Sequence, residues 1–291
     1  MALGTNQITT TTAAVFIPEV WSNEVRAEYE KRLVMANLVK KINHNNKAGD
    51  TIHIPDVSNI SAHDKAANTQ VTLNAVTESE IAIVLNKHKE SSFVVEDIVK
   101  VQASYDLRSL YTKKAGYAIA KAVEDDIIAL YSGATHAVIG GDGTTAWDPS
   151  ANSNAGNGSD LTDVGIRNMI ELLDSNDVPD EDRFMVIPPC QKNVLLGIDK
   201  FINSRYVEGR PVVNGHFGNI YGVEVYYSNN LPTVTADDGS TKYKIGFLFQ
   251  REALVYAEQL APRSQSQYKQ EYLGWLVTID TIYGVKIYRP D

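Results

Sequence analysis

At 291 residues the chain suits one large or two ordinary domains, and a compact chain of that size buries roughly three quarters of its extended surface, so its core needs no covalent staple. The composition is that of an ordinary globular protein, 43% hydrophobic and 22% charged, and no run of about 18 apolar residues is present to span a bilayer, so no membrane partner is expected. The formal charge of -9 sits in one place: residues 133–182 carry ten Asp or Glu against one basic residue, Arg167, and the rest of the chain balances to zero.

The chain opens with Met1 to Ile8 and the run Thr9 to Thr12, which lack the basic and apolar regions of a signal peptide, so secretion is not expected. The sequons Asn59-Ile-Ser61 and Asn157-Gly-Ser159 then carry no glycosylation meaning. Pro18 suits a first helical position, and Trp21, Val25, Tyr29 and Leu33 recur every four residues, which predicts an amphipathic helix over 18–37. After Gly49-Asp50 the pattern turns to β, with Thr51–Ile54, Gln70–Leu73, Ile81–Leu85 and Ser92–Val95 as predicted strands and Ser58–Asn68 as a polar loop tip. A two-stranded ribbon of this kind is marginal in water on its own, and its edges invite pairing with another chain. The bland alternative is that these strands join a sheet within the same domain.

Ser104 is a good N-cap and Gly133 a good stop, and the apolar residues between them predict one long helix over 105–131. Such a helix would run about 40 Å, enough to cross a domain. Residues 140–160, rich in Gly, Asn, Ser and Asp, read as a surface excursion. Thr162 caps a further helix whose apolar face is Ile166, Met169, Ile170 and Leu173, with Pro179 beyond its end. Strands are then predicted at Phe184–Ile187, Val223–Tyr227 and Tyr243–Phe249, short helices at Gln191–Leu196 and Glu252–Ala257, and β structure over Leu273–Tyr288.

No catalytic, cofactor-binding or metal residue emerges. Gly140-Gly-Asp-Gly143 lacks both the dinucleotide spacing and the Gly-Lys-Ser/Thr ending of a phosphate loop, and residues 148–160 lack the acidic ligands of a calcium loop. The six histidines, at 44, 53, 63, 88, 136 and 216, never fall at paired ligand spacing. Cys190, the single cysteine, excludes an intrachain disulfide, fits a reducing cytoplasm, and reads as a small buried hydrophobe because no base can be nominated for it. Glu124-Asp125-Asp126 point around a helix instead of converging, and read as a solvated face. No dense Lys/Arg stripe appears, so tight nucleic-acid binding is not expected; the first 47 residues hold six basic and four acidic side chains, enough for weak contact at most.

Four stretches, in this order, resemble the major capsid proteins of tailed bacteriophages, the Hong Kong 97-type fold. They are the hairpin after Gly49-Asp-Thr-Ile-His-Ile-Pro55, the long helix ending at Leu130-Tyr131, Ile220-Tyr-Gly-Val-Glu-Val-Tyr-Tyr-Ser-Asn-Asn-Leu-Pro232, and Ile282-Tyr-Gly-Val-Lys-Ile-Tyr-Arg-Pro290. Phe247–Leu254 also sits where such proteins place a strand leading into a short helix. The resemblance implies an α+β coat subunit without catalysis. Its divisions would be an N-terminal arm and helix (1–48), an extended β-hairpin loop (49–97), a peripheral domain with a spine helix (98–159), an axial domain (160–245) and a return to the peripheral domain (246–291).

It further implies assembly with copies of itself into hexamers and pentamers of an icosahedral head, made in the host bacterial cytoplasm and enclosing double-stranded DNA through weak contacts. A portal and a decoration protein are further implied partners. Because the chain starts almost directly at the arm, scaffolding is expected from a separate protein. The acid-rich 133–182 would face away from DNA. Some relatives cross-link a loop Lys to a neighbour's Asn, and Lys65 lies near the predicted tip, but no motif places the Asn or a base, so cross-linking is not expected. The rival readings are an encapsulin-like shell holding protein cargo and an α/β hydrolase built on Cys190.

Overall fold

The computed structural model describes residues 33–44, 49–57, 60–74, 76, 78–98, 107–133, 141, 159–198, 218–235 and 242–289. Its first half contains α1 (Met35–Leu38), β1 (Lys40–Asn43), β2 (Thr51–Val57), β3 (Glu78–Val84), β4 (Lys87–Glu96) and the long helix α2 (Leu107–Ile128). There follow α3 (Asp163–Ser175), β5 (Arg183–Ile187), α4 (Pro189–Leu195), β6 (Asn219–Ile220), β7 (Val223–Tyr227), β8 (Thr233–Thr235), β9 (Lys242–Lys244) and β10 (Phe247–Gln250). Two long strands, β11 (Leu254–Lys269) and β12 (Gly274–Ile287), end the chain's regular structure.

The long strands form the middle of a four-stranded sheet ordered β1-β11-β12-β4, antiparallel except where β1 runs beside β11. Sixteen residues of β11 span about 50 Å. Its register slips between Glu258 and Leu260 and again between Leu260 and Arg263, around Pro262, which has no N–H to give a ladder. Helix α2 lies along one face of this sheet. Ala115, Ile119, Val123 and Ile127, spaced by four, make its buried stripe, against Phe93 and Ile279 at one end and Leu254, Tyr256 and Tyr283 at the other.

The second sheet, β10-β5-β7-β6, is built around β5, whose five residues are all buried. Strand alternation sends Phe184 and Val186 into the core shared with α2, β11 and β12, and Met185 and Ile187 into a separate core with Ile166 of α3, Leu195 of α4, Val223 and Val225. One strand therefore joins both halves. Helix α3 starts as its sequence predicts, with the Thr162 hydroxyl accepting from the Gly165 N–H at 3.0 Å. Strands β8 and β9 pair antiparallel in a further two-stranded sheet.

Several expectations change. Gln70–Leu73 is not a strand: pairing of β2 with β3 stops at Val57 and Glu78, and the described residues between them, 60–74 and 76, form no strand. Glu252–Ala257 is not a helix either; a 3-10 turn at Arg251–Ala253 gives way to β11, because Val255, Tyr256 and Ala257 are paired to β12 and buried. The predicted strand Tyr243–Phe249 splits into β9 and β10 at Ile245-Gly246, where a Cβ on Gly246 would come within 3.2 Å of the Val186 carbonyl. The predicted helix 18–37 falls mostly outside the described residues, where only the short helix Met35–Leu38 overlaps its end. The Ser104 cap, the excursion 142–158, His136 and His216 also lie outside them.

Candidate assembly surfaces

The β2–β3 ribbon is rooted firmly and then left bare. At its base Ile83 and Leu85 pack on Val255 and Ala257, with Ile42, Ile52, Ile54 and Tyr288 around them. Three long-range bonds fix the same root: Leu85 N–H to the Asp50 carbonyl at 2.7 Å, Lys286 Nζ to the Ala82 carbonyl at 2.7 Å and Gln259 Nε2 to the Gly49 carbonyl at 2.8 Å. Gly284 is required there, because a Cβ would overlap the Val84 carbonyl. Further out, the loop between the strands exposes Ile60 by 67%, Val71 by 61%, Leu73 by 84% and Val76 by 52%. Single exposed apolar residues are ordinary, but four within one thin loop form an exposed apolar surface.

The loop is nevertheless ordered by side chains. Asn74 Nδ2 donates to the Ser61 carbonyl at 2.8 Å, while Asn74 Oδ1 accepts from Ser61 Oγ at 3.1 Å and lies 2.7 Å from His63 Nε2. At the tip, Lys65 Nζ and Thr69 Oγ1 both donate to the Ala66 carbonyl at 2.8 Å. The Lys65 ammonium is thus engaged within its own loop.

A second apolar surface lies at the far end of the β11–β12 hairpin. Tyr272 and Leu273 stand exposed in the turn, Leu273 in the left-handed conformation with φ 42° and ψ 49°. Behind them Tyr268 meets Trp275 edge-on at 5.6 Å, Arg108 lies over the Trp275 ring at 6.0 Å, and the Tyr268 hydroxyl donates to Asp97 at 2.9 Å. Gly274 lies close against the Val95 carbonyl, where a Cβ would come within 2.7 Å. Rigid aromatics next to arginine are the usual makings of an interface hot spot.

The acidic triplet on α2 is not a solvated face. Its members do point in different directions, but two of them point inward. Glu124 is fully buried, one residue past Val123 in the buried stripe, and its Oε2 accepts from the Met35 N–H at 3.1 Å. Asp126 accepts from the Tyr283 hydroxyl at 2.6 Å and pairs with Lys87 and Lys89 at 3.0 and 3.4 Å. Asp125 meets Lys121 and Asn230. An acid adjoining an i, i+4 apolar stripe was the signal available in the sequence. Cys190 also departs from expectation: it is exposed at the start of α4 and not part of a core.

The acid-rich segment is partly spent on structure. Arg183, with its side chain nearly buried, pairs with Asp174 at 2.6 Å and Asp180 at 3.0 Å and donates to the Val178 and Pro179 carbonyls. Asp163 pairs with Arg167 and Asp182 with Arg251. Among the described residues, no three His, Cys, Asp or Glu side chains gather where a metal could be held. No helix among them is long and apolar enough to cross a membrane.

A profile of the phage capsid protein family matches residues 81–291, which hold the spine helix, the long β11–β12 hairpin and the second compact sheet. The chain belongs to the phage capsid protein family. Solved capsid proteins share its fold along nearly their whole length. One from Mycobacterium phage Che8 is 24% identical, with a TM-score of 0.72 and 94% of each chain covered. One from the capsid of cyanophage P-SCSP1u is 21% identical, with a TM-score of 0.78 and coverage of 99% of this chain and 94% of that one. One from the capsid of Ralstonia phage GP4 is 12% identical, with a TM-score of 0.66 and coverage of 93% and 90%. No match was found among curated protein sequences.

This phage capsid protein has the α+β Hong Kong 97-type fold. It is a structural subunit of a virion's capsid shell, where copies associate with one another.

Proposed function

We propose that copies of this chain form the hexamers and pentamers of an icosahedral head around packaged double-stranded DNA, with the outer part of the 49–97 segment, the β2–β3 ribbon and its loop, laid across a neighbouring subunit while β4 stays in the main sheet. The observation that carries this reading is the exposed apolar set Ile60, Val71, Leu73 and Val76 on a loop whose ribbon is rooted at its base. Burying an aliphatic side chain of this size contributes about 1.5–3 kcal/mol, and in a closed symmetric shell every copy both gives and receives such a loop. Residues 98–159 and 246–291 then form the peripheral domain beside it, 160–245 the axial domain around the symmetry axes, and 1–48 the arm. The outward-turned aromatic hairpin tip at 268–275 is a second contact between copies. Assembly proceeds in the host cytoplasm with a separate scaffolding protein, a portal and a decoration protein, and no catalytic step is required of this chain.

The test is Leu73→Asp in the full chain. Charge at the most exposed apolar position should abolish particles in negative stain while leaving the soluble subunit folded by circular dichroism. Normal particles from that variant would remove the loop from the contact. Nucleic acid inside purified wild-type particles supports a phage head, whereas protein cargo supports the compartment reading. Cys190→Ser should assemble as wild type; loss of a thiol-sensitive turnover in that variant would instead favour the hydrolase.

A further inference from the structure

Among the described residues, the loop between β2 and β3 has no strand pairing beyond Val57 and Glu78, yet side-chain hydrogen bonds cross it. From this we infer that Asn74 is a positioning residue that sets the loop in its contact-ready conformation before subunits meet. The inference rests on the proposed docking of that loop on a neighbouring copy. Three bonds converge on one side-chain amide and tie residue 74 to residues 61 and 63 across the loop. The amide's orientation follows from its partners. The Ser61 carbonyl can only accept, so the Asn74 nitrogen must face it, and the Asn74 oxygen must face Ser61 Oγ and His63 Nε2. His63 Nε2 therefore carries its proton and donates.

The position of this staple gives it a role in association. Asn74 is the residue next to Leu73, and Ser61 the residue next to Ile60, so the clasp brings the two flanks of the loop together and holds both apolar side chains outward. An unclasped loop would have to be ordered at the moment of contact, and that ordering subtracts from affinity; a loop already in shape avoids the loss. Each bond is solvent-exposed and modest, so the clasp biases the loop without being needed for the fold.

The decisive variant is Asn74→Asp, which keeps the size of the side chain but sets a carboxylate oxygen against the Ser61 carbonyl. In the purified full chain, the midpoint concentration of self-association by sedimentation velocity should rise about tenfold, the effect of losing roughly one net hydrogen bond of preorganisation. Hydrogen exchange of residues 60–76 in the dilute subunit should quicken, with the thermal midpoint unchanged. His63→Gln, which retains a donor at the place of Nε2, should associate within about twofold of wild type, whereas His63→Leu should follow Asn74→Asp. Wild-type association or wild-type loop exchange in Asn74→Asp overturns the inference. A Leu73→Asp variant that still assembles removes the docking reading itself; failed assembly in Leu73→Asp beside normal assembly in Asn74→Asp removes only the clasp.

Discussion

Glu124 accepts the Met35 backbone N–H from inside the core, so a carboxylate with no exposure caps the first turn of the short helix α1, which packs beside the spine helix. Its second oxygen finds no hydrogen-bond donor among the described residues. Burial pushes its pKa up from near 4.5 to about 7, against the lowering effect of the Val34 and Met35 N–H groups. A raised folded-state pKa means a contribution that is whole below pH 4.5 and lost as pH rises through 7. The difference between the two pKa values corresponds to roughly 3 kcal/mol. Glu124→Gln removes that titration. Chemical denaturation of wild type and variant from pH 4.5 to 8.5 should show the wild type falling relative to the variant by a few kcal/mol, and parallel curves would refute the assignment.

Two residues along α2, Asp126 shows the opposite balance. Burial would raise its pKa, but the Tyr283 hydroxyl and the Lys87 and Lys89 ammonium groups outweigh that and hold it below the ordinary carboxylate range. Its contribution is present above about pH 4 and is lost as the pH falls through the lowered value. Asp126→Asn should cost about 1–3 kcal/mol at pH 7, because the Tyr283 hydroxyl and two lysines lose a charged acceptor. The deficit should shrink toward zero in acid, which a urea titration at pH 7 and pH 3 measures.

The contrast between these two acids shows what the sequence could and could not convey. Alternation and capping are local, so β7 at Val223–Tyr227 and the Thr162 cap were legible from a few residues. The spine helix was legible from its apolar spacing, although that same spacing left Glu124 and Asp126 looking like surface acids. Their burial is decided by Met35 and Tyr283, 89 and 157 residues away. The 16-residue β11 was missed for a related reason. From Ala261 to Tyr268 it is exposed on both faces and carries polar residues, so no hydrophobic period marks it, and only its partner β12 makes it a strand. The ribbon was half legible: Thr51–Ile54 and Ile81–Leu85 do pair with each other, but Ser92–Val95 belongs to the four-stranded sheet beside β12, and Gln70–Leu73 was assigned to a strand because apolar alternation does not distinguish a pleat from an exposed loop.

Gly284 offers a test of how the ribbon is rooted. Its Cα faces the Val84 carbonyl so closely that a methyl group cannot fit without moving β3 away from β12. Gly284→Ala should destabilise the subunit by about 1–3 kcal/mol through overpacking, and should loosen Ile83 and Leu85 from Val255 and Ala257. Faster hydrogen exchange confined to residues 49–57 and 78–85 is the expected signature. An unchanged exchange pattern together with an unchanged unfolding midpoint would show that the ribbon is held by something other than this contact.

Leu273 sets stability against assembly. A leucine at φ 42° pays for a left-handed conformation, by about 1–2 kcal/mol, and is 66% exposed in the isolated subunit, where it gains little in return. Asn tolerates that conformation, so Leu273→Asn should raise the stability of the unassembled chain by up to about 1 kcal/mol. If the hairpin tip is a contact between copies, the same change removes an apolar anchor from the shell, and particles of the variant should dissociate at lower denaturant than wild-type particles. Subunit and particle midpoints thus move in opposite directions. A variant that stabilises both would mean that the strained leucine serves no contact and that the aromatic tip faces solvent in the assembled head.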